Sequence, residues 1–307
     1  MADLLDLLEK TSRTFALSIP SLPEPTCREV TVAYLLFRVA DTFEDASHVP
    51  SEARVRALRD FNVLVGAFHR DEAVRLSRDW TEAGIAANGS DRELLAEVPL
   101  VLDAFFALPP RAAETIRTYV VRSASGMADF VARTRSGRLS LSDLDELKAY
   151  CYVVAGLVGE MLTELFLLDR PGLAAEAPAL LSRAAGFGEA LQLVNILKDA
   201  VRDAAEGRAF LPEAVPLREV FALAKRDLVV AGEYIGALER AGAPRGFVEF
   251  TALPVELAWA SLEEIERRGP GSKLSRPGVY QLVRRVRHAL DAGESLAQRL
   301  SNAGDLA

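Results

Sequence analysis

Apolar residues recur at three- and four-residue spacings along most of the chain, and no series of short alternating strands interrupts them. The pattern predicts helices over 26 to about 47, 51 to about 69, and 71 to about 87, the last ended by Asn88-Gly89-Ser90. Residues 91–108 read as a helical pair or a broken helix. Pro109 and Pro110 then open a long helix towards Arg133. Ser136-Gly137 is a break. Ser142 is expected to cap a helix over 143–168, with Glu146 completing a weak capping box. After Pro171-Gly172 come helices over 176 to about 206, 215–241 and 244–268, the last with Pro254 as a kink. Residues 269–278, GPGSKLSRPG, are the most loop-like stretch, and one last helix reaches about Leu300. The expectation is a single all-α domain over 1–307, since no linker composition marks a division.

Two of these helices carry polar stripes. On the first, Tyr34, Arg38, Asp41 and Asp45 stand at i, i+4, i+7 and i+11. On the second, Gln192, Asn195, Asp199 and Asp203 stand at i, i+3, i+7 and i+11. Spacing alone is equally served by two solvated helix faces. The remaining surfaces change that reading. Leu35, Leu36, Phe37, Val39 and Ala40 surround one stripe, and Leu191, Leu193, Val194, Ile196 and Leu197 the other. A helix apolar on most faces is buried, and a buried polar stripe needs partners. Two stripes facing each other would enclose four carboxylates, which require cations. Oxygen ligands beside a phosphate suit Mg²⁺.

Composition narrows the field. The 307 residues are 50% hydrophobic with a net charge of −8, which lacks the basic footprint of a nucleic-acid binder. Cys27 and Cys151 give no disulfide framework, which fits a reducing compartment. MADLLDLLEKTSR lacks the regions of a signal peptide, and LSNAGDLA is no anchor. The apolar run 149–168 nearly reaches membrane length, but Glu160 and Glu164 interrupt it and point to a buried helix lining something polar. His48, His69 and His288 are scattered and receive no role.

Four segments, TSRTFALSIP, YLLFRVADTFED, YCYVVAGLVGEMLTELF and QLVNILKDAVRDAAEGRAFLP, occur in an order and spacing that resemble the squalene/phytoene synthase family of head-to-head prenyltransferases. The resemblance covers nearly the whole length. It implies an isoprenoid-synthase helical bundle around a central cavity, with the two aspartate motifs facing each other at its mouth and holding Mg²⁺ on prenyl diphosphates. It also implies phosphate contacts from Ser12 and Arg13, and pocket positions for Phe15, Tyr34 and Arg38. Tyr150 matches a tyrosine tied to ionisation. Val154, Ala155, Gly156, Leu157 and Gly159 match the cavity-lining helix, and Gln192, Asn195 and Arg208 the second diphosphate site. Small residues such as Gly156 and Gly159 would leave room for a hydrocarbon tunnel.

Within that resemblance the chain departs at two points. Lys198 stands where many members carry Arg, which removes a bidentate fork. Phe210 stands where the phytoene branch often has Tyr, so that Phe and VAGLVG lean towards the squalene branch. Lys273 and Arg276 resemble a basic segment used near NADPH phosphates, although the same loop equally serves as a solvated basic turn. The implied activity is condensation of two farnesyl diphosphates to presqualene diphosphate, then NADPH-dependent reduction to squalene. Phytoene formation from geranylgeranyl diphosphate, a partial reaction, aromatic prenylation and a non-catalytic helical scaffold stay open as alternatives. This reading places the chain in the cytoplasm, with peripheral membrane contact allowed by a lipid product, and leaves the oligomeric state open.

Overall fold

The structure is a computed structural model that describes residues 2–12, 14–67, 69–134 and 139–305. The break expected at Ser136-Gly137 lies outside them. The chain divides into two compact units, one within 1–20 and 24–139, the other within 21–23 and 140–307.

The first unit contains α1 (Ala2–Thr11), α2 (Phe15–Ser18), α3 (Thr26–Asp45), α4 (Ser51–Gly66), α5 (Arg70–Glu82), α6 (Gly89–Ala96), α7 (Val98–Phe106) and α8 (Pro110–Ala132). Its axis is α3, which packs on α1, α4, α6, α7 and α8. That explains why Val32, Ala33, Leu35, Leu36, Val39, Ala40 and Phe43 are all fully buried around one helix. Each large side chain so buried contributes roughly 1.5–3 kcal/mol over an exposed one. Phe43 closes the lower end against Phe61 and Trp80, with ring centroids at 6.1 and 4.8 Å. α8 begins with proline at its first position, as expected, because that N–H has no helical partner. The stretch 71–87 ends earlier than expected, at Glu82, where Gly84 adopts a positive φ of 67°. Asn88 does not close α5. It caps α6, accepting from the Asp91 N–H at 2.9 Å. The ambiguous stretch 91–108 resolves into α6 and α7, with Pro99 in the first turn of α7.

The second unit contains β1 (Leu139–Ser140), where the chain passes between units, and then α9 (Leu144–Cys151), α10 (Leu157–Asp169), α11 (Ala177–Ala205), β2 (Arg208–Ala209), α12 (Leu217–Arg240), α13 (Arg245–Arg268), α14 (Arg276–Asp291) and α15 (Leu296–Asp305). Its axis is α11, packed on α10, α12 and α13. A single π-helical turn, Tyr152–Gly156, joins α9 to α10, and the Leu157 N–H bonds back to the Tyr152 carbonyl. The cap of α9 is Asp143, not Ser142. Asp143 accepts from the Glu146 N–H at 2.9 Å, while Glu146 accepts from the Ser142 N–H at 2.6 Å. The capping-box partners are therefore displaced by one residue from the expected register. The single C-terminal helix expected from the sequence is two, α14 and α15, because Gly293 turns the chain with φ +70°.

Leu144–Asp169 is, among the described residues, the one helical run long and apolar enough to cross a membrane, and half of its most apolar window is buried. Cys27 and Cys151 are both free thiols.

Candidate active site

The first carboxylate pair is built on α3. Tyr34 and Arg38 are partly buried, Asp41 is partly buried, and Asp45 is exposed. The Tyr34 hydroxyl donates to the Thr11 carbonyl at 3.0 Å, and its ring meets Phe15 at 5.6 Å. Burial pushes the Tyr34 phenol up. Ser12 Oγ accepts from the Phe15 N–H at 2.9 Å, which ties the turn between α1 and α2 to that aromatic pair. Arg13 lies outside the described residues.

Arg38 is clamped by a residue that the sequence did not single out. Its guanidinium donates to Asp91 Oδ1 at 3.2 and 2.9 Å and to Oδ2 at 3.0 Å. Asn88 donates a further bond to Asp91 Oδ2 at 2.6 Å. Asp91 is only 6% exposed, so it comes paired or not at all. Burial alone would lower Arg38, but Asp41, Asp91 and Asp45 together outweigh it and raise it. Asp41 is pushed up to about 7, first by burial and then by Asp45 and Asp91, against the pull of Arg38. Arg54, 3% exposed, completes the frame: it donates to the carbonyls of Phe43 and Glu44, which the end of α3 leaves without helical partners.

The second pair is built on α11. Gln192 is partly buried, Asn195 exposed, Asp199 partly buried and Asp203 buried. Asp203 is neutralised locally, with Arg208 Nη2 at 2.9 Å and Arg202 Nη2 at 3.6 Å. Arg208 also meets Glu206 at 2.7 Å. Asp199 Oδ2 has Lys198 at 3.6 Å and Arg202 at 3.7 Å. Burial would raise Asp199, yet Lys273, Lys198 and Arg202 together hold it below the usual carboxylate range. Lys198 itself is lowered, chiefly by burial, and donates to Asn195 Oδ1 at 2.5 Å. The residue standing in place of Arg is thus engaged along its own helix.

Lys273 reaches this pair from the loop after α13, with Nζ 2.9 Å from Asp199 Oδ1. Arg276, at the start of α14, is exposed. Tyr150 is buried and stacks on Phe210 at 4.7 Å and 23°. The Leu141 N–H holds β2, just before Phe210, by bonding the Ala209 carbonyl at 3.2 Å.

Val154 and Ala155 lie partly buried in the π turn, with Gly156 and Leu157 buried after them. The space at Gly159 is not spare: an added Cβ would sit 2.0 Å from the Ala184 carbonyl oxygen, and one at Gly188 would sit 2.0 Å from that of Ala155. These two glycines let α11 touch α10 and the π turn before it backbone to backbone. At Gly156 the same atom would meet Tyr152 Cδ2 at 2.7 Å and Glu189 Oε1 at 3.0 Å. The neighbourhood is polar, as Glu160 in the apolar run led one to expect. The Tyr152 hydroxyl bonds Glu160 at 3.2 Å, and Glu189 is pushed up to about 7 by burial and by Asp227.

The residues present fit Mg²⁺. Asp199 Oδ1 is buried and accepts no aligned hydrogen bond, so its contact with Lys273 is one of charge. Asp41 is pushed up to about 7 chiefly by burial, beyond what Arg38 offsets, so a bound cation would favour its charged form. Among the described residues no three His, Cys, Asp or Glu side chains gather as a ready ligand set. A divalent ion here needs water and phosphate oxygens, which is how Mg²⁺ is commonly held. Of the two basic residues in 269–278, Lys273 is engaged on Asp199, and Arg276 stands exposed at the N-terminus of α14.

A model of the squalene/phytoene synthase family matches residues 8–220. The squalene synthase of Eremothecium gossypii is 32% identical over 212 residues, 68% of this chain and 45% of that protein. Squalene synthase ERG9 of Candida albicans is 30% identical over 210 residues, with the same coverage. The chain thus spans less than half the length of these relatives. Among solved structures, TcSQS in complex with BPH1237 superposes with a TM-score of 0.78 at 24% identity, covering 99% of this chain and 90% of that one. A dehydrosqualene synthase with bound ligand gives 0.60 at 21%, covering 95% and 96%. At these identities the likeness speaks for the all-α fold.

Proposed function

The chain belongs to the squalene/phytoene synthase family, and from that premise we propose that it is a prenyltransferase that joins two farnesyl diphosphates head to head. The first product would be presqualene diphosphate, formed with loss of one diphosphate and a proton; loss of the second diphosphate with rearrangement, and a hydride that NADPH would supply, would give squalene. The observation that supports this reading is the pair of aspartate stripes on otherwise buried helices: Asp41 is pushed up to about 7 by burial and then by Asp45 and Asp91, and Asp199 is a partly buried carboxylate gathered among Lys273, Lys198 and Arg202.

Asp41, Asp45, Asp199, Asp203 and Asn195 would hold Mg²⁺, which when bound supplies Lewis-acid neutralisation of a departing diphosphate. Arg38 carries fixed positive charge beside the first pair, locked in direction by Asp91. Arg208 does the same beside the second pair, held by Asp203 and Glu206. Phe15 and Tyr34 in one unit, and Tyr150 on Phe210 in the other, present aromatic faces suited to an allylic cation. Ser12, Arg13, Gln192 and Lys198 would contact substrate phosphate, and Val154, Gly156 and Leu157 the prenyl chain. Arg276 would meet the NADPH phosphates, whereas the Lys273 ammonium is held on Asp199. Mass spectrometry of the products from the purified chain with farnesyl diphosphate, Mg²⁺ and NADPH tests this. Squalene is expected. Presqualene diphosphate or hydroxysqualene alone would remove the reduction step, and turnover of geranylgeranyl diphosphate alone would replace the substrate.

A further inference from the structure

The loop between α13 and α14 places a cation on the second carboxylate pair from outside its own helix. Lys273 is 56% exposed, yet its ammonium lies 2.9 Å from Oδ1 of Asp199, a carboxylate only 14% exposed. The loop is shaped for that approach. Gly269 and Gly271 adopt φ of +92° and +91°, and an added Cβ on Gly271 would stand 3.0 Å from Val201 Cγ2 on α11. Ser275 fixes the far end by capping α14, accepting from the Gly278 N–H at 3.2 Å. The other cations at Asp199 approach Oδ2 at longer range and come from α11 itself: Lys198 at 3.6 Å and Arg202 at 3.7 Å. Oδ1, buried and without an aligned hydrogen bond, faces Lys273.

We propose that Lys273 is a tethered counter-cation that occupies Asp199 before substrate arrives and passes to the diphosphate when a metal–diphosphate takes its place. This inference rests on the reading of Asp199 as a metal–diphosphate ligand. A divalent ion and an ammonium compete for one carboxylate oxygen and repel each other, so bare metal binds against Lys273, Lys198 and Arg202. A metal carrying an anion reverses the balance. The displaced ammonium sits on a flexible four-carbon stem, a compact point charge that can turn to a nearby phosphate without a fixed geometry. Lys273 therefore opposes the metal alone and favours the metal with its diphosphate.

Opposite signs in one variant give the test. Mn²⁺ binding to the full chain is titrated by electron paramagnetic resonance with and without inorganic pyrophosphate, in the wild type, Lys273→Gln, Lys273→Arg and Asp199→Asn. Lys273→Gln is expected to bind bare Mn²⁺ about 2- to 5-fold more tightly and pyrophosphate with Mn²⁺ about 2- to 5-fold more weakly, the range of one partly exposed ion pair. Lys273→Arg should keep the wild-type preference for pyrophosphate. Changes in the same direction, or none, with Asp199→Asn still impaired, would overturn the role of Lys273 and leave the site reading intact. Wild-type protein that binds neither Mn²⁺ nor Mn²⁺ with pyrophosphate would overturn both.

Discussion

Asp91→Asn separates what Asp91 does from what the aspartate motifs do. The carboxylate takes three hydrogen bonds from Arg38 and one from Asn88. An amide of the same shape keeps one acceptor oxygen and turns an NH₂ towards donors, so two of the four contacts become a clash of donors. Removing one partner of a buried pair costs about 3–5 kcal/mol. Arg38 is 26% exposed and retains Asp41 as a neighbour, so about 2 kcal/mol is the fitting estimate here. For a chain of this size that is a fall in Tm of about 3 °C, read by circular dichroism near neutral pH. A second readout follows from charge. Asp91 helps to push Asp41 up, and Arg38 pulls it down. With Asp91 neutral and Arg38 released towards Asp41, the pH at which the first pair accepts a divalent ion should move to lower values. A variant within about 1 °C of wild type, with an unmoved pH profile, would refute the reasoning.

Ligand-free protein should lose stability as pH rises from about 4 to about 7. Asp41 and Glu189 are pushed up to about 7 and Asp227 to about 6, so across that window the folded state binds more protons than the unfolded one. Thermal scans across the window should fall, and Asp41→Asn should flatten part of the fall; a rising Tm would contradict the assignment. Asp199 has the opposite sign, its contribution being lost only as pH falls through a depressed value. Gly188→Ala forces the Ala155 carbonyl away from α11 and should cost about 1–3 kcal/mol or more, measured by urea denaturation; a neutral result would mean that the helices are not in backbone contact. Tyr152→Phe removes the bond to Glu160 and should cost about 1 kcal/mol in the same assay, whereas unchanged stability would show that the bond contributes nothing.

What the sequence made legible were features written at helical spacing. The α3 and α11 stripes stand out because apolar residues fill the other faces, and the structure buries those residues except Leu191, which is partly buried. Proline at the start of α8 reads directly because one residue carries the whole physical cause. Partners across long sequence separations did not read. Asp91 is 53 residues from Arg38, and its one visible cue, the Asn88 to Asp91 cap spacing, signals a helix start and not an ion pair. Gly159, expected to leave room for a tunnel, instead admits the Ala184 carbonyl, because a missing side chain does not say what fills its place. Lys273 carries no local sign that it would reach Asp199, because that contact depends on how two left-handed glycines turn the loop. The C-terminal break at Gly293 was missed because one glycine in a helical pattern is often tolerated.

The central claim is that each aspartate pair takes part in releasing diphosphate from a prenyl substrate. Pyrophosphate release from farnesyl diphosphate, measured with and without Mg²⁺ in the wild type, Asp41→Asn and Asp199→Asn, tests it most directly. The account predicts metal-dependent release by the wild type and losses of about 100-fold or more in each variant, on the scale of removing one charge-stabilising group. Release that continues undiminished in either variant, or a wild type that releases none, would contradict it.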